Sequence, residues 1–237
     1  MKRSAVSSTA KARLPRAFTL LELLVVIGLM AVLSLFLFGG LRGGGKTAAL
    51  QSGQATVVNL LTVARTKAMA TGQSARLLVH VDANSTEQPS RFLRCVVVQI
   101  QNPVGWQTVT AAYLPEGVYV VPGNFSSIPA GLFATGTAGP WTKSDASALR
   151  STALRANAVT TDTINGADAA QWAAITISAN AGTAQSGDLI LASGRPRAPG
   201  AYQLGESPVE LDNPEAVRGL TLSAYGVPAL INGRSSF

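Results

Sequence analysis

RAFTLLELLVVIGLM, residues 16–30, decides how the rest of the chain is read. It opens an apolar run from Ala17 to Leu41 in which Glu22 is the only charged side chain. About 20 apolar residues suffice to span the hydrocarbon of a bilayer as a helix, and residues 18–41 meet that length. The run is also longer than the roughly 7–15-residue core of a cleavable secretory signal. A carboxylate near a membrane core costs roughly 3 kcal/mol unless it is paired or neutralised. Glu22 therefore requires a compensating partner.

Working outward, Lys2, Arg3, Lys11, Arg13 and Arg16 precede the run, and only Arg42 and Lys46 follow it closely. The positive-inside rule puts residues 1–16 in the cytoplasm and the bulk of the chain outside. The same five residues explain most of the net charge of +7. Without them 14 basic residues face 12 acidic ones, so the basicity belongs to a leader. Downstream there are no Lys/Arg patches interleaved with aromatics of the kind nucleic-acid grooves use, and no nucleic-acid partner is expected. With 47% hydrophobic and 13% charged residues, the chain as a whole is not of disordered composition.

Cys95 and His80 are the only residues of their types. An intrachain disulfide, a cysteine-based zinc site and a multi-histidine metal site are excluded, and a histidine-dependent triad would have to use His80. We expect no enzyme activity and no cofactor.

The basic leader, Ala17 and FTLLELLVVIGLMAVLSLFLF together resemble the N-terminal signal of type IV prepilins and type II secretion pseudopilins. The resemblance implies cleavage between Ala17 and Phe18 by a prepilin peptidase, which also N-methylates the new terminus at Phe18. Glu22 then becomes the fifth residue of the mature chain, an assembly residue pairing with the Phe18 amine of a neighbouring subunit. The family favours glycine before the cut and this chain has Ala17, so slower processing is expected. The organisation implied is a cleaved leader (1–17), a transmembrane helix (18–41), a Gly-rich joint (42–46) and an extracytoplasmic head (47–237). The partners implied are the peptidase/methylase, the inner membrane, and other pilin or pseudopilin subunits reached through the N-terminal helix.

GLRGGGKT, residues 40–47, fits the literal pattern of a phosphate-binding loop. That chemistry needs a strand before the loop, and an apolar helix precedes it here, so no nucleotide site is expected. Glycine costs roughly 1 kcal/mol against alanine inside a helix, and the five glycines between Gly39 and Gly45 predict a weak point.

In the head, Leu50, Val57, Leu61, Ala64 and Ala68 form one apolar face of a helix over 47–71, with Gly72 as its stop. SARLLVHVD (74–82) alternates, placing Ala75, Leu77, Val79 and Val81 inward and Arg76, His80 and Asp82 outward. RFLRCVVVQIQ (91–101), WQTVTAAYL (106–114), GVYVV (117–121), AAITISAN (173–180) and DLILAS (188–193) read as further strands. VRGLTLSAYG and VPALING close the chain as a hairpin. Residues 122–170 are rich in Gly, Ala, Ser and Thr and predict a flexible insertion with a short helix around 144–154. Cys95 within LRCVVV reads as a small buried apolar group.

The helix followed by RLLVHVD, FLRCVVVQ, GW and LPEGV resembles the head of an H-type minor pseudopilin. The expected fold is α+β and pilin-like: a long N-terminal helix packed on an antiparallel β-sheet head. The expected function is a minor pseudopilin of a type II secretion-like apparatus. The alternatives are a minor type IV pilin for adhesion or DNA uptake, and a membrane-anchored extracytoplasmic binding module.

Overall fold

A computed structural model describes residues 19–82, 89–123, 149–154, 159–164, 169–180, 182–183, 185–198, 201, 207–213 and 215–237. Within the helix, side chains are described up to Ser34 and again from Gly45. The leader, Ala17 and Phe18 lie outside the described residues. The chain divides into two compact units, Met1–Gly44 and Gly45–Phe237.

Helix α1 runs Leu20–Thr71. Its backbone is helical through 40–47, so GLRGGGKT forms no phosphate-binding loop. The first unit contains its apolar turns. Eleven large apolar side chains between Leu20 and Leu33 are exposed, on every side of the helix. Among the described residues, no helix is long and apolar enough to cross a membrane.

The second unit is an α+β head. Two sheets share one core with α1 residues from Leu50 onward. Sheet A has the order β3-β2-β1-β6-β5 and is antiparallel throughout. Its strands are β1 (Ala75–His80), β2 (Cys95–Asn102), β3 (Gly105–Tyr113), β5 (Val159–Asp162) and β6 (Ala170–Ile177). Sheet B has the order β10-β9-β7-β4, built from β4 (Val118–Val120), β7 (Gly187–Pro196), β9 (Val217–Leu222) and β10 (Pro228–Ile231). The short β8 (Val209–Leu211) pairs with the far end of β7.

The helical stripe reads as expected. Leu50, Val57, Leu61, Ala64 and Ala68 are all buried, joined by Leu60. They pack with Leu77, Val79, Val96 and Ile175 of sheet A and with Leu189, Leu191 and Leu220 of sheet B. Full burial of each leucine contributes about 2 kcal/mol from apolar area. Thr71 ends the helix, and Gly72 at φ +65° supplies the left-handed residue that turns the chain into β1.

Differences from expectation have physical causes. β2 starts only at Cys95, because residues 89–91 form a 3-10 turn and Leu93 sits at φ +55°. Within 122–170, the described residues are parts of the head. Ser151 is fully buried, accepts from Ile190 N at 2.9 Å and donates to the Val121 carbonyl, which joins this stretch to β7. Ala153 and Leu154 are core residues, and residues 149–154 form a turn where a helix was expected. A composition of small residues reads as loop, yet small side chains are what allow backbone to lie directly on a sheet.

Sheet A also has an unusual edge. β5 covers β6 only over Ala170–Ala173. Beyond that, the Gln185 side chain takes the place of a strand: its Oε1 accepts from Thr176 N at 2.6 Å and its Nε2 donates to the Ala174 carbonyl at 3.1 Å.

At Gly219 the sheet leaves no room for a side chain, since an added Cβ would lie 2.3 Å from the Leu189 carbonyl oxygen. Gly219→Ala is expected to lower the unfolding free energy by about 3 kcal/mol, the upper end for overpacking against backbone. Urea unfolding of the variant checks this, and an unchanged midpoint would contradict the close approach.

Candidate functional site

The residues singled out by the sequence fall at the start of α1. Ala17 and Phe18 are outside the described residues. Thr19 and Glu22 are described, and together they form a capping box. The Glu22 backbone N–H donates to Thr19 Oγ1 at 3.2 Å. In return Glu22 Oε2 accepts from Thr19 N at 3.4 Å and from Thr19 Oγ1 at 3.5 Å. The Thr19 carbonyl accepts from the backbone N–H groups of Glu22 and Leu23, so Thr19 is the residue at which the helix begins.

These side-chain bonds are long, and the carboxylate remains exposed. A negative charge in the first turn also interacts favourably with the positive end of the helix dipole. The sequence signal for this was present: T-x-x-E ahead of an apolar run is the capping-box spacing. Reading Glu22 only as a charge in need of a partner passed over it. The geometry gives Glu22 a local partner and leaves its outer oxygen face open to a second one.

The outward face of β1 is not a surface. Arg76 and His80 are both buried, which corrects the expectation that they face solvent. β1 is the central strand of sheet A, and its outer face carries a second cluster of Leu78, Cys95, Val97, Ile164, Ala170, Trp172 and Ala174. Arg76 is accommodated by specific partners. Its Nε donates to Gln99 Oε1 at 2.8 Å, its guanidinium pairs with Asp162, and it lies 4.2 Å from the Trp106 ring centroid. Burial still lowers its pKa, with Asp162 working in the opposite direction.

His80 has no such support. Neither ring nitrogen has a hydrogen-bond partner among the described residues, and the ring meets Trp172 edge-on at 4.9 Å. Burial pushes its pKa down to about 4, with Asp82 raising it and Arg91 lowering it further. Cys95 is the small buried group expected, and burial raises its thiol pKa. Among the described residues, no group of three or more His, Cys, Asp or Glu side chains is placed to hold a metal.

Fold and site together define a class: an α+β chain with an antiparallel sheet head and a processing-type signal at the start of its long helix. Residues 13–38 match the family described as the prokaryotic N-terminal methylation motif. Two solved structures of the minor pseudopilin EpsH from the type II secretion system of Vibrio cholerae are similar to this chain. One is 10% identical with a TM-score of 0.37, covering 78% of this chain and 96% of its own. The other is 12% identical with a TM-score of 0.38, covering 80% of this chain and 96% of its own. No curated protein gives a significant match.

Proposed function

We propose that the protein is a minor pseudopilin-like structural subunit of a type II secretion-like apparatus. It is made with a cytoplasmic leader, held in the inner membrane by residues 18–41, and assembled through α1 with its head on the extracytoplasmic side. The observation that carries this reading is the methylation motif at 13–38 on a helix whose large apolar side chains from Leu20 to Leu33 are exposed all round. A helix that is apolar on every side needs lipid or other helices around it, because water would leave that surface unburied. In this reading Glu22, capped by Thr19, offers its open face to the Phe18 amine of a neighbouring subunit.

The first test is processing. Mass spectrometry of the N-terminal peptide from native membranes is expected to show a chain beginning at methylated Phe18. An intact Met1 start, or a cut beyond the apolar run near Gly39, would overturn the reading. Ala17→Gly is expected to be processed at least as fast as the native chain, because it restores the residue the family favours before the cut.

A further inference from the structure

We propose that Gly53 and Gln54 form an axial lock that fixes the position of the head half of α1 along sheet B. These two consecutive residues engage all four strands of the sheet. A Cβ at Gly53 would meet Val118 Cγ1 of β4 at 3.0 Å and Leu191 Cδ1 of β7 at 3.7 Å, so helix backbone sits directly on those side chains. Gln54 is 3% exposed, and its Nε2 donates to the Gly219 carbonyl of β9 at 2.6 Å and to the Ile231 carbonyl of β10 at 2.9 Å. Gly219 and Ile231 are cross-strand partners, so one amide group holds the two ends of a single rung.

The need for a lock follows from the rest of the stripe. Leu50, Val57, Leu61, Ala64 and Ala68 are apolar or small, and such surfaces resist separation more than they resist sliding. A slide of one helical turn moves α1 by about 5.4 Å and exchanges one apolar contact for another. It also removes the Gln54 amide from both acceptors and drives a Cβ-bearing residue into the space that Gly53 leaves. A buried amide stranded in this way is far costlier than a repacked methyl. Gln54 therefore specifies where the helix sits, and the apolar stripe supplies adhesion. Under the proposed function, on which this consequence alone rests, pull along α1 reaches sheet B at Gly53–Gln54.

Hydrogen exchange followed by mass spectrometry on the full chain in detergent tests the lock without reference to any filament. Gln54→Met keeps the volume and removes the donor. It is expected to speed exchange by about tenfold or more in residues 50–57 and in β9–β10, while β1–β2 amides hold their rates. Gln54→Asn keeps an amide but is one methylene short of bridging two carbonyls, and the same local pattern is expected. It also serves if the methionine variant does not fold. Unchanged exchange in β9–β10, or an even rise across both sheets, would overturn the proposal. Full protection in Gln54→Asn would overturn the two-acceptor geometry on which it stands.

Discussion

Under the proposed pairing of Glu22 with a neighbour's amine, Glu22→Leu is expected to lower crosslinking of this subunit to its partners by more than about a hundredfold while its level in the membrane holds, since stranding one member of a buried ion pair costs about 3–5 kcal/mol. Removing a carboxylate makes membrane insertion easier, so loss of protein would not be the cause. The capping box at Thr19–Glu22 adds a second role that the leucine variant also destroys. Glu22→Gln separates the two. Glutamine at the third helical position still caps the Thr19 amide, but it carries no charge for a neighbour's amine. If charge pairing drives assembly, Glu22→Gln fails nearly as badly as Glu22→Leu. Thr19→Ala makes the converse test: it keeps the charge and loses a cap worth about 1 kcal/mol, which is about a fivefold loss. Normal assembly of the glutamine variant would show that Glu22 acts only as a helix cap, and the proposed pairing would be lost.

Between neutral pH and pH 4 the fold is expected to lose about 3 kcal/mol through His80 alone. Its pKa in the folded chain is lowered from the usual 6.5 to about 4, chiefly by burial. The unfolded chain therefore binds the proton more readily than the folded one between these two values. Stability is fully present above pH 6.5 and drains away as the pH falls toward 4. The charged groups that act on His80 are Asp82 and Arg91, and they pull in opposite directions. Carboxylates elsewhere also titrate near pH 4, so the comparison must be with a variant. His80→Phe keeps an aromatic edge against Trp172 and cannot take up a proton. The difference in unfolding free energy between it and the native chain is expected to shift by that same amount from pH 7 to pH 4. A pH-independent difference would mean that the ring finds a proton acceptor or solvent.

Much of this architecture is legible in the residues, and the failures share a cause. The 3.6-residue stripe of Leu50, Val57, Leu61, Ala64 and Ala68 predicts the helix and its buried face. β-branched runs locate β2, β6, β7 and the β9–β10 hairpin to within a few residues. The alternation in β1 is misleading, because Arg76 and His80 look like a solvent face. β1 is central, both sides of it are covered, and the polar residues there are accommodated one by one. Pairing with Asp162 and Gln99, and the ring contact with Trp172, are long-range facts that a local pattern does not carry. β5 and β8 are missed because three or four residues are too few to show a period. At the helix start, one residue carries two signals: the charge of Glu22 suggests a partner, and its spacing to Thr19 marks a cap.

The Gln185 amide on the bare stretch of β6 has a consequence for how such a chain survives among its sisters. A bare strand edge offers a row of free donors and acceptors, and a second copy of the same sequence is the best-matched chain to fill it. Under the proposed function, subunits sharing one membrane would meet such edges at high local density. With Thr176 N and the Ala174 carbonyl already occupied by a side chain, this stretch offers fewer free groups to an incoming strand. Gln185 thereby withdraws two backbone groups of β6 from pairing with a second chain.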